Sequence, residues 1–374
     1  MLDPQAFLEQ IKSHHINFST GVPDSLLKDF CGCIADSGTD IIAANEGGAI
    51  ALAAGHHLAT GEIPFVYMQN SGFGNTINPL TSLVDPEVYS IPMLLMIGWR
   101  GEPGVKDEPQ HVKQGRVSEP LLDALEVRYD ILSLEIEEAK AQLESAVHYM
   151  QTHNAPYALL VRKDTFEAYK MKHVPQVPDY EMNREGAIKV ILGKLQDEDV
   201  VVSTTGKTSR EVFEKRAVDK IGHQRDFLTV GCMGHASNIA LGIALAKPER
   251  KVYCLDGDGA FIMHMGGAAI IADQAPKNYF HIVINNGSHD SVGGQPTVGF
   301  KTDLVKIAQG CGYKDAFSVS SKSELDEVWE RFSQSEGPVF LEIKTKKGAR
   351  KDLGRPTIKP VDNKKDFMSN LGLK

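Results

Sequence analysis

The sequence predicts an α/β protein of two domains, each a mostly parallel sheet with helices on both faces. The chain has 374 residues, which corresponds to roughly two to three domains at about 150 residues each. Short apolar runs alternate with stretches of helical periodicity in both halves, which is typical of buried parallel sheets. A proline-containing segment without a periodic apolar face separates the halves. We therefore expect a first domain at 1–170, a linker at 171–183, a second domain at 184–345 and a basic tail at 346–374.

The first domain is predicted to alternate strands and helices along the chain. Runs of apolar residues indicate strands, and alanine-rich or amphipathic stretches indicate helices. The predicted elements, in order, are a strand at 16–20, a helix starting near residue 24, a strand at 41–44, a helix at 46–60, a strand at 64–69 followed by a glycine-rich turn and a helical stretch, a strand at 91–98, a helix at 134–153 and a strand at 157–162.

The same alternation restarts after the linker. The predicted elements of the second domain are a helix at 184–195, strands at 200–204 and 251–256, a helix at 260–273, a strand at 279–285, helices near 302–309 and 324–333, and a strand at 338–345. The tail at 346–374 carries nine Lys or Arg against three Asp. We expect it to be a solvated, partly ordered segment, with docking on a partner subunit or on an anionic site as the alternative.

Composition and charge exclude several classes of protein. The net charge is −9, from 40 basic and 49 acidic residues, which disfavours nucleic-acid binding because that needs a strong positive field. No apolar run approaches the ~18 residues of a membrane span, so no membrane partner is expected. The five cysteines are odd in number and have no framework spacing. They are therefore predicted to be reduced thiols of a cytoplasmic protein.

The strongest chemical signal lies at the ends of two predicted strands in the second domain. The strand before Asp256 runs into Gly257, Asp258 and Gly259, and after 25 further residues the next strand ends at Asn285 and Asn286. Carboxylate and amide oxygens at neighbouring strand ends suit Mg²⁺, which usually also binds phosphate oxygens. Glycines let a backbone approach a phosphate, and the helix opening at Ala260 directs amide donors to it. The edge beyond the strands is also where open α/β sheets bind ligands.

Two other phosphate-binding motifs are excluded by their spacing. The stretch from Thr205 to Ser209 resembles the end of a P-loop, but Val201 stands where that motif needs a glycine. The glycine pairs at Gly72 and Gly257 lack the third glycine of a dinucleotide-binding fingerprint. A nucleotide hydrolase and a nicotinamide dehydrogenase are therefore disfavoured.

The GDG signature followed by NN resembles the diphosphate and magnesium motif of thiamine diphosphate enzymes. By this resemblance Asp258, Asn286 and the carbonyl of Ser288 bind Mg²⁺, and Gly257, Gly259 and Ala260 lie against the cofactor diphosphate. The family also places diphosphate contacts after the first strand of this domain, which here implies Thr205, Gly206 and Thr208. The segment beginning at Gly231 resembles the one whose bulky residue, here Met233, holds the cofactor in its bent form.

The family also requires a glutamate in the first domain. The segment beginning at Asn45 and Glu46 is similar to the one whose glutamate hydrogen-bonds the aminopyrimidine ring and so promotes deprotonation of the thiazolium carbon. The segment 69–75 resembles the glycine-rich turn beside that ring, which implies Gly72 and Asn75. The resemblance therefore assigns catalysis to Glu46, where an ordinary helix-start glutamate favoured by the helix dipole is the alternative.

Over its whole length the chain resembles the phosphonopyruvate and sulfopyruvate decarboxylase family. The resemblance rests on the segments TGVPDSLL at 20–27, GWRGEPGVKDEPQH at 98–111 and NNGSHDSVGGQPT at 285–297, and on two domains joined by only a short linker. It implies decarboxylation of 3-phosphonopyruvate to phosphonoacetaldehyde in phosphonate biosynthesis. Decarboxylation of sulfopyruvate or another 2-oxo acid remains the alternative, because a phosphonate and a sulfonate share shape. A non-catalytic subunit is disfavoured because Glu46, Asp258 and Asn286 are all present.

An acidic protein that takes a multiply anionic 2-oxo acid needs local cations. The candidates for substrate binding are Arg100, Lys106, Lys207 and Arg210, with Arg100 and Lys106 ranked first because Arg100 ends an apolar strand. The candidates for proton delivery are Asp24, His111 and His289, of which the histidines titrate near working pH. The resemblance implies a homodimer or higher homo-oligomer, with Glu46 of one chain facing Asp258 of another.

Overall fold

The computed structural model describes residues 1–173 and 178–373. Its internal contacts divide the chain into two units: unit 1 comprises Met1–Val174 and Val292–Gln295, and unit 2 comprises Pro175–Ser291 and Pro296–Lys374. Residues 174–177 of the predicted linker, and Lys374 of the predicted tail, lie outside the described residues. Each unit holds one six-stranded sheet.

Unit 1 is a parallel sheet with strand order β2-β1-β3-β4-β6-β5. Its strands are β1 Ser19–Gly21, β2 Asp40–Ile42, β3 Phe65–Gln69, β4 Leu94–Gly98, β5 Arg128–Ile131 and β6 Tyr157–Val161. Its helices are α1 Pro4–Ser13, α2 Lys28–Asp36, α3 Glu46–Thr60, α4 Phe73–Ser82, α5 Pro109–Ala124 and α6 Ile136–His153, and a 3-10 turn covers Asn70–Gly72.

Unit 2 is also a parallel sheet, with strand order β11-β12-β10-β9-β7-β8. Its strands are β7 Val200–Ser203, β8 Asp226–Leu228, β9 Val252–Gly257, β10 Tyr279–Asn285, β11 Asp315–Val319 and β12 Val339–Lys344. Its helices are α7 Arg184–Leu192, α8 Lys207–Asp219, α9 Ala236–Ala246, α10 Asp258–Met263, α11 Gly267–Gln274, α12 Leu304–Cys311, α13 Lys322–Gln334 and α14 Pro360–Asn370.

Each sheet is buried on both faces. Along β4, Leu94 and Met96 belong to one apolar cluster of unit 1, and Leu95 and Ile97 belong to the other. This follows from the period of two in a strand, which sends successive side chains to opposite faces. Both faces need apolar residues, so the strands read as continuous apolar runs. The predicted fold class, two α/β units with parallel sheets covered on both faces, is confirmed.

The helix at 46–60 shows how local sequence signals set an element's bounds. The Asn45 side chain accepts a hydrogen bond from the Gly48 amide at 2.8 Å and so caps the first turn of α3. Gly61 ends the helix with φ of 74°, a left-handed conformation that glycine adopts at little cost. Glu46 is therefore the first residue of α3, at the carboxyl edge of the sheet.

Two features differ from the sequence-based expectation. The helix predicted at 260–273 is two helices, because α10 ends at Met263 and α11 begins only at Gly267; Gly266, in the break between them, is a poor helix former. Eight described elements were not predicted from the sequence: α1, α5, α8, α9, α14, β5, β8 and β11.

The C-terminal helix α14 departs from the expectation of a solvated tail, although most of residues 351–373 are exposed. In α14 the Phe367 side chain is 4% exposed and packs in an apolar cluster of unit 2. Asn363 accepts a hydrogen bond from the Leu228 amide at 3.0 Å and donates one to the Asp226 carbonyl at 2.8 Å. The many basic residues of this segment masked its core contacts, which Ile358, Phe367 and Leu371 make with the apolar clusters of unit 2.

Candidate active site

The predicted residues of unit 1 lie at the carboxyl edge of its sheet, where Glu46 begins α3. Glu46 is 5% exposed, and its Oε2 accepts a hydrogen bond from Asn75 Nδ2 at 2.7 Å. A Cβ placed on Gly72 would lie 2.0 Å from Glu46 Oε1, so residue 72 must be glycine for the carboxylate to hold this position. The structure thus brings Glu46, Gly72 and Asn75 into one cluster.

Asp24 follows β1 and is fully buried. Its carboxylate accepts hydrogen bonds from the amides of Leu26 at 3.0 Å and Leu27 at 3.3 Å and from the side-chain amide of Gln69. Burial raises the pKa of Asp24, and these hydrogen bonds and the charge of Arg100 oppose the rise. Asp24 follows β1, and Gln69 is the last residue of the neighbouring strand β3. The strand order reverses between these two strands, which is where open α/β sheets bind their ligands.

Arg100 follows β4 and is paired within unit 1. Its guanidinium donates to both carboxylate oxygens of Asp107, with Nε to Oδ2 at 2.7 Å, and Nη1 donates to Ser25 Oγ at 2.7 Å. Burial acts to lower the pKa of Arg100, but the hydrogen bonds and charge of Asp107 leave it above its usual value. Arg100, predicted as a substrate-binding cation, is therefore tethered by Asp107 and Ser25.

His111 in α5 and Lys106 in the loop before it are the other two candidates near Arg100, and their surroundings differ. His111 is 8% exposed, and its Nδ1 lies 3.0 Å from Asp107 Oδ1. Burial lowers the pKa of His111, and Asp107 partly offsets this effect. Lys106 is exposed and forms no hydrogen bond or ion pair with any residue in the described ranges.

In unit 2, Asp258 is the first residue of α10 and is 2% exposed. Its carboxylate accepts hydrogen bonds from the Thr297 hydroxyl and from the Asn286 amide, the latter at 3.4 Å. Burial raises the pKa of Asp258 to about 6. No Lys, Arg or His side chain among the described residues forms an ion pair with it. A buried carboxylate without a cationic partner is costly, so the site is suited to a bound cation.

Asn286 is fixed beside Asp258 by groups that follow it in the chain. Its Nδ2 donates to Asp290 Oδ2 at 2.9 Å, and its Oδ1 accepts from the Ser288 amide at 3.1 Å. The Ser288 hydroxyl is buried and has no hydrogen-bond partner among the described residues. Hard oxygen donors thus converge at the ends of β9 and β10, and the donor set fits Mg²⁺.

Asp290 is held in turn by a buried ion pair. Arg184 Nη1 donates to Asp290 Oδ2 at 3.1 Å, and the Nε and Nη2 of Arg184 donate to Glu211 at 2.8 and 2.9 Å. Arg184, the first residue of α7, and Glu211 of α8 therefore support the loop after β10. Such a network fixes the orientation of the Asn286 amide, as outer hydrogen bonds do for metal ligands.

The first turn of α8 follows β7 on the same edge of the sheet. Gly206 has φ of 91°, Thr205 and Lys207 are half-buried, and Thr208 is buried. Burial lowers the pKa of Lys207, whereas the nearby carboxylate of Asp290 acts to raise it. Lys207 forms no hydrogen bond or ion pair within the part of the chain that the structure describes. Amide donors and an unpaired ammonium group at a helix start suit an anion.

The remaining predicted residues of unit 2 line neighbouring loops. Gly231 and Met233 lie in the loop between β8 and α9 and are half-buried. A Cβ on Gly259 would approach His289 Cε1 to 3.1 Å, so this imidazole lies against the turn that runs from Gly257 to Ala260. Desolvation lowers the pKa of His289 to about 4, which leaves the ring neutral near pH 7.

Four polar side chains that hold the predicted residues of the two units by hydrogen bonds were not predicted from the sequence. Asp107, Arg184, Asp290 and Thr297 were not singled out, although three of them lie in segments quoted for the family resemblance. The available signal was weak: an acidic or hydroxyl residue in a glycine-rich loop is an ordinary turn residue. Only their hydrogen bonds identify them.

Comparisons with known proteins agree with this architecture. A model of the C-terminal TPP binding domain of thiamine pyrophosphate enzymes matches residues 205–343, and a model of their N-terminal TPP binding domain matches residues 4–125. The phosphonopyruvate decarboxylase of Streptomyces viridochromogenes is 34% identical over 363 residues, which cover 93% of this chain and 89% of that protein. The sulfopyruvate decarboxylase of Methanosarcina acetivorans is 27% identical, covering 98% and 97%. The sulfopyruvate decarboxylase subunit beta of Methanocaldococcus jannaschii is 35% identical, covering 42% and 81%.

The described helices contain no candidate for a membrane span. The longest of them, α6, has 18 residues and carries charged side chains along its length.

Proposed function

The chain belongs to the phosphonopyruvate decarboxylase family of thiamine pyrophosphate enzymes, and we propose that its substrate is 3-phosphonopyruvate and its product phosphonoacetaldehyde. The protein is a carboxy-lyase, and its domains are TPP-binding domains. The substrate proposal is supported by the similarity to phosphonopyruvate decarboxylase over 93% of the chain. The structural observation that best supports thiamine diphosphate chemistry is the buried Glu46 carboxylate, held by Asn75 against Gly72. We place the reaction in phosphonate biosynthesis, because the product keeps the carbon–phosphorus bond.

When bound, thiamine diphosphate supplies the electron sink that a 2-oxo acid needs to lose carbon dioxide. The contribution of Glu46 is a fixed hydrogen bond. Asn75 occupies Oε2, and Oε1 has no hydrogen-bond donor among the described residues. We assign Oε1 to the aminopyrimidine ring, where the carboxylate would hold a proton. A carboxylate at a buried helix start is oriented for this before any ligand arrives.

We propose that Asp258, Asn286 and the Ser288 carbonyl hold Mg²⁺. The lack of a cationic partner for buried Asp258 supports this assignment. We also propose that Gly206, Thr208 and the turn from Gly257 to Ala260 bind the diphosphate. Glycine and helix-start amides can approach phosphate oxygens closely.

For the substrate we propose Lys106 and Lys207 as direct partners of anionic groups, because neither is paired among the described residues. Arg100 contributes through the N–H groups that Asp107 and Ser25 leave available. His111, His289 and Asp24 remain the candidates for protonating the product carbon. The two histidines can do so only after taking up a proton, because burial lowers the pKa of both rings. We further propose a homo-oligomer in which the active site draws on more than one chain.

The test is a decarboxylation assay on the purified full chain with thiamine diphosphate and Mg²⁺. Phosphonopyruvate, sulfopyruvate and pyruvate are compared, with the cofactor omitted as a control. We expect cofactor-dependent release of carbon dioxide mainly from phosphonopyruvate. A preference for sulfopyruvate would support the second candidate, which the full-length similarity to a sulfopyruvate decarboxylase favours. No turnover of any of the three, with the cofactor bound, would contradict both.

Glu46→Gln provides a matched variant for the same assay. It keeps the shape and the acceptor for Asn75 but removes the charge, so we expect turnover to fall by about a hundredfold or more while the cofactor still binds. Glu62→Gln, just beyond the end of α3, is the control and should leave turnover unchanged. Near-normal turnover of Glu46→Gln would remove the assigned role.

A further inference from the structure

The loop between β4 and α5 is folded around one carboxylate, that of Asp107. Five donors reach it: Arg100 through Nε and Nη2, the amides of Gly101 at 2.9 Å and Glu108 at 2.7 Å, and His111 Nδ1 at 3.0 Å. Burial acts to raise the pKa of Asp107, but these hydrogen bonds and the charge of Arg100 hold it below its usual range. The carboxylate is therefore ionised, and it accepts hydrogen bonds on both oxygens.

Asp107 limits the directions that Arg100 can take. Two guanidinium nitrogens face the carboxylate, and Nη1 faces Ser25 at 2.7 Å. The Arg100 backbone is held as well, since Asn70 Nδ2 donates to its carbonyl at 2.8 Å and Asn70 Oδ1 accepts from its amide at 3.2 Å. A two-point guanidinium–carboxylate contact fixes the plane of the forked guanidinium group. A ligand would therefore bind Arg100 in one orientation of that plane.

Asp107 also sets the protonation pattern of His111. An ionised carboxylate has no proton to donate, so the proton in the 3.0 Å contact belongs to Nδ1 of the imidazole. In the neutral ring, Nε2 is then the unprotonated nitrogen. No described residue forms a hydrogen bond with His111 Nε2. The ring is thus held with one nitrogen bound to Asp107 and the other open to a ligand.

We propose that Asp107 is a positioning residue of the active site, which fixes the Arg100 fork and keeps the His111 imidazole in the Nδ1–H form with Nε2 directed to the substrate. This inference rests on the proposed function, because it gives Arg100 and His111 their use. It assigns Asp107 no contact with substrate or cofactor. A conventional alternative is a loop-stabilising ion pair with no effect on the imidazole.

The two possibilities differ in what Asp107→Asn does to His111. The Asn amide brings an NH₂ group into a pocket lined by donors. Next to Oδ2 it would face Arg100 Nε and the Gly101 amide, neither of which can accept. Next to Oδ1 it faces Arg100 Nη2 and the Glu108 amide, which cannot accept either, and also His111 Nδ1, which can accept if the ring moves its proton to Nε2. Only this last arrangement gives the new NH₂ group an acceptor. Asp107→Asn should therefore convert His111 from the Nδ1–H to the Nε2–H tautomer.

The experiment is ¹H–¹⁵N correlation of imidazole nitrogens in the full chain, which distinguishes protonated from unprotonated ring nitrogens. His111 is one of 13 histidines and is assigned by its loss in His111→Gln. We expect Nδ1–H in the unaltered protein and Nε2–H in Asp107→Asn. Glu102→Gln is the matched control: it lies in the same loop and pairs with Arg162 at 2.8 Å, so it should leave the His111 signals unchanged.

Kinetics complete the test. A substrate-positioning error of about 1 Å costs on the order of a hundredfold in rate, and we expect a loss of at least about tenfold in kcat/KM for Asp107→Asn and none for Glu102→Gln. An unchanged His111 tautomer in Asp107→Asn would overturn the proposal, and so would a changed tautomer with unchanged kcat/KM. The spectra need no turnover, so a failure of the proposed function is distinguishable from a failure of this inference.

Asp107→Glu keeps the experiment decisive if Asp107→Asn does not fold. The longer side chain retains the charge opposite Arg100 but moves the carboxylate. We expect a thermal midpoint close to that of the unaltered protein and at least about tenfold lower kcat/KM. A kcat/KM within about twofold of the unaltered protein would overturn the positioning role.

Discussion

Two carboxylates, that of Glu46 in unit 1 and that of Asp258 in unit 2, are each packed closely against a glycine. Gly72 lies directly against Glu46 Oε1, and a Cβ on Gly299 would stand 2.5 Å from Asp258 Oδ2. In each case the carboxylate occupies the space that a side chain on the glycine would need. The two carboxylates are thus held in place partly by residues that could not be larger, and single substitutions there test the geometry without removing a charge.

Gly72→Ala is expected to displace the Glu46 carboxylate, because its Cβ would fall 2.0 Å from Oε1. We expect kcat to fall by at least about tenfold, with a thermal midpoint that changes less than the activity. Gly74→Ala is the matched control, since a Cβ there meets nothing within 4 Å and alanine favours the helix. Equal turnover of the two variants would contradict the assigned contact.

Among the elements, the edge strands β2 and β8 are held by side chains from other elements in addition to their backbone pairing. The edge strand β2 has three residues and starts at Asp40, whose carboxylate accepts from the Tyr67 hydroxyl at 2.9 and 3.0 Å. At the edge of the other sheet, β8 is completed by Asn363 of the C-terminal helix. Short edge strands that are tied by side chains offer little free backbone for pairing with other chains.

Asp40 makes the stability of unit 1 depend on pH. Burial raises the pKa of Asp40 to about 6, above its unfolded value of about 3.9. The folded state therefore holds this proton more tightly, and stability falls as pH rises from about 4 to about 6. Asp40→Asn cannot ionise but still accepts from Tyr67, so its thermal midpoint should exceed that of the unaltered protein at pH 7 and match it near pH 4.

Thermal midpoints measured between pH 4 and 7 check this expectation. Asp123→Asn, an exposed position on α5, is the control and should follow the unaltered protein throughout. A lower midpoint for Asp40→Asn than for the unaltered protein at pH 7 would show that the ionised carboxylate contributes more through Tyr67 than its burial costs.

For the whole molecule, the repeated topology is the main structural result. Numbered within each unit, both sheets have the strand order 2-1-3-4-6-5, although the sequence shows no clear internal repeat. Parallel strands joined by crossovers have few allowed arrangements, and both units place polar groups beyond the carboxyl ends of corresponding strands. Unit 1 has Asp24 after its first strand, and unit 2 has the turn at Gly206.

Cofactor and metal should stabilise the folded chain together. A ligand at a hundred times its Kd adds about 2.7 kcal/mol to the free energy of unfolding, so thiamine diphosphate with Mg²⁺ should raise the thermal midpoint, and EDTA should reverse the rise. Asp258→Ala should abolish the Mg²⁺-dependent part of this shift. Asp273→Ala, exposed on α11, should retain it. A full Mg²⁺-dependent shift in Asp258→Ala would place the metal elsewhere.

The sequence by itself determined the fold class, the bounds of α3 and β10 and the position of Glu46 at a helix start. These features depend on apolar periodicity and on caps, which act between near neighbours in the chain. The strand-end placement of Asp258 and Asn286 could also be predicted, because the carboxyl ends of parallel strands share one edge. The roles of these residues in cofactor binding stay predictions.

Only the tertiary structure decided which polar groups hold the predicted residues. Thr297 meets Asp258 across 39 residues of chain, Arg184 meets Asp290 across 106, and Asn363 meets Asp226 across 137. No local pattern encodes such pairs, because each partner alone is an ordinary loop or surface residue. The donors to Asp107 are close to it in sequence, unlike these pairs. They still could not be predicted, because the loop must fold before they converge on one carboxylate.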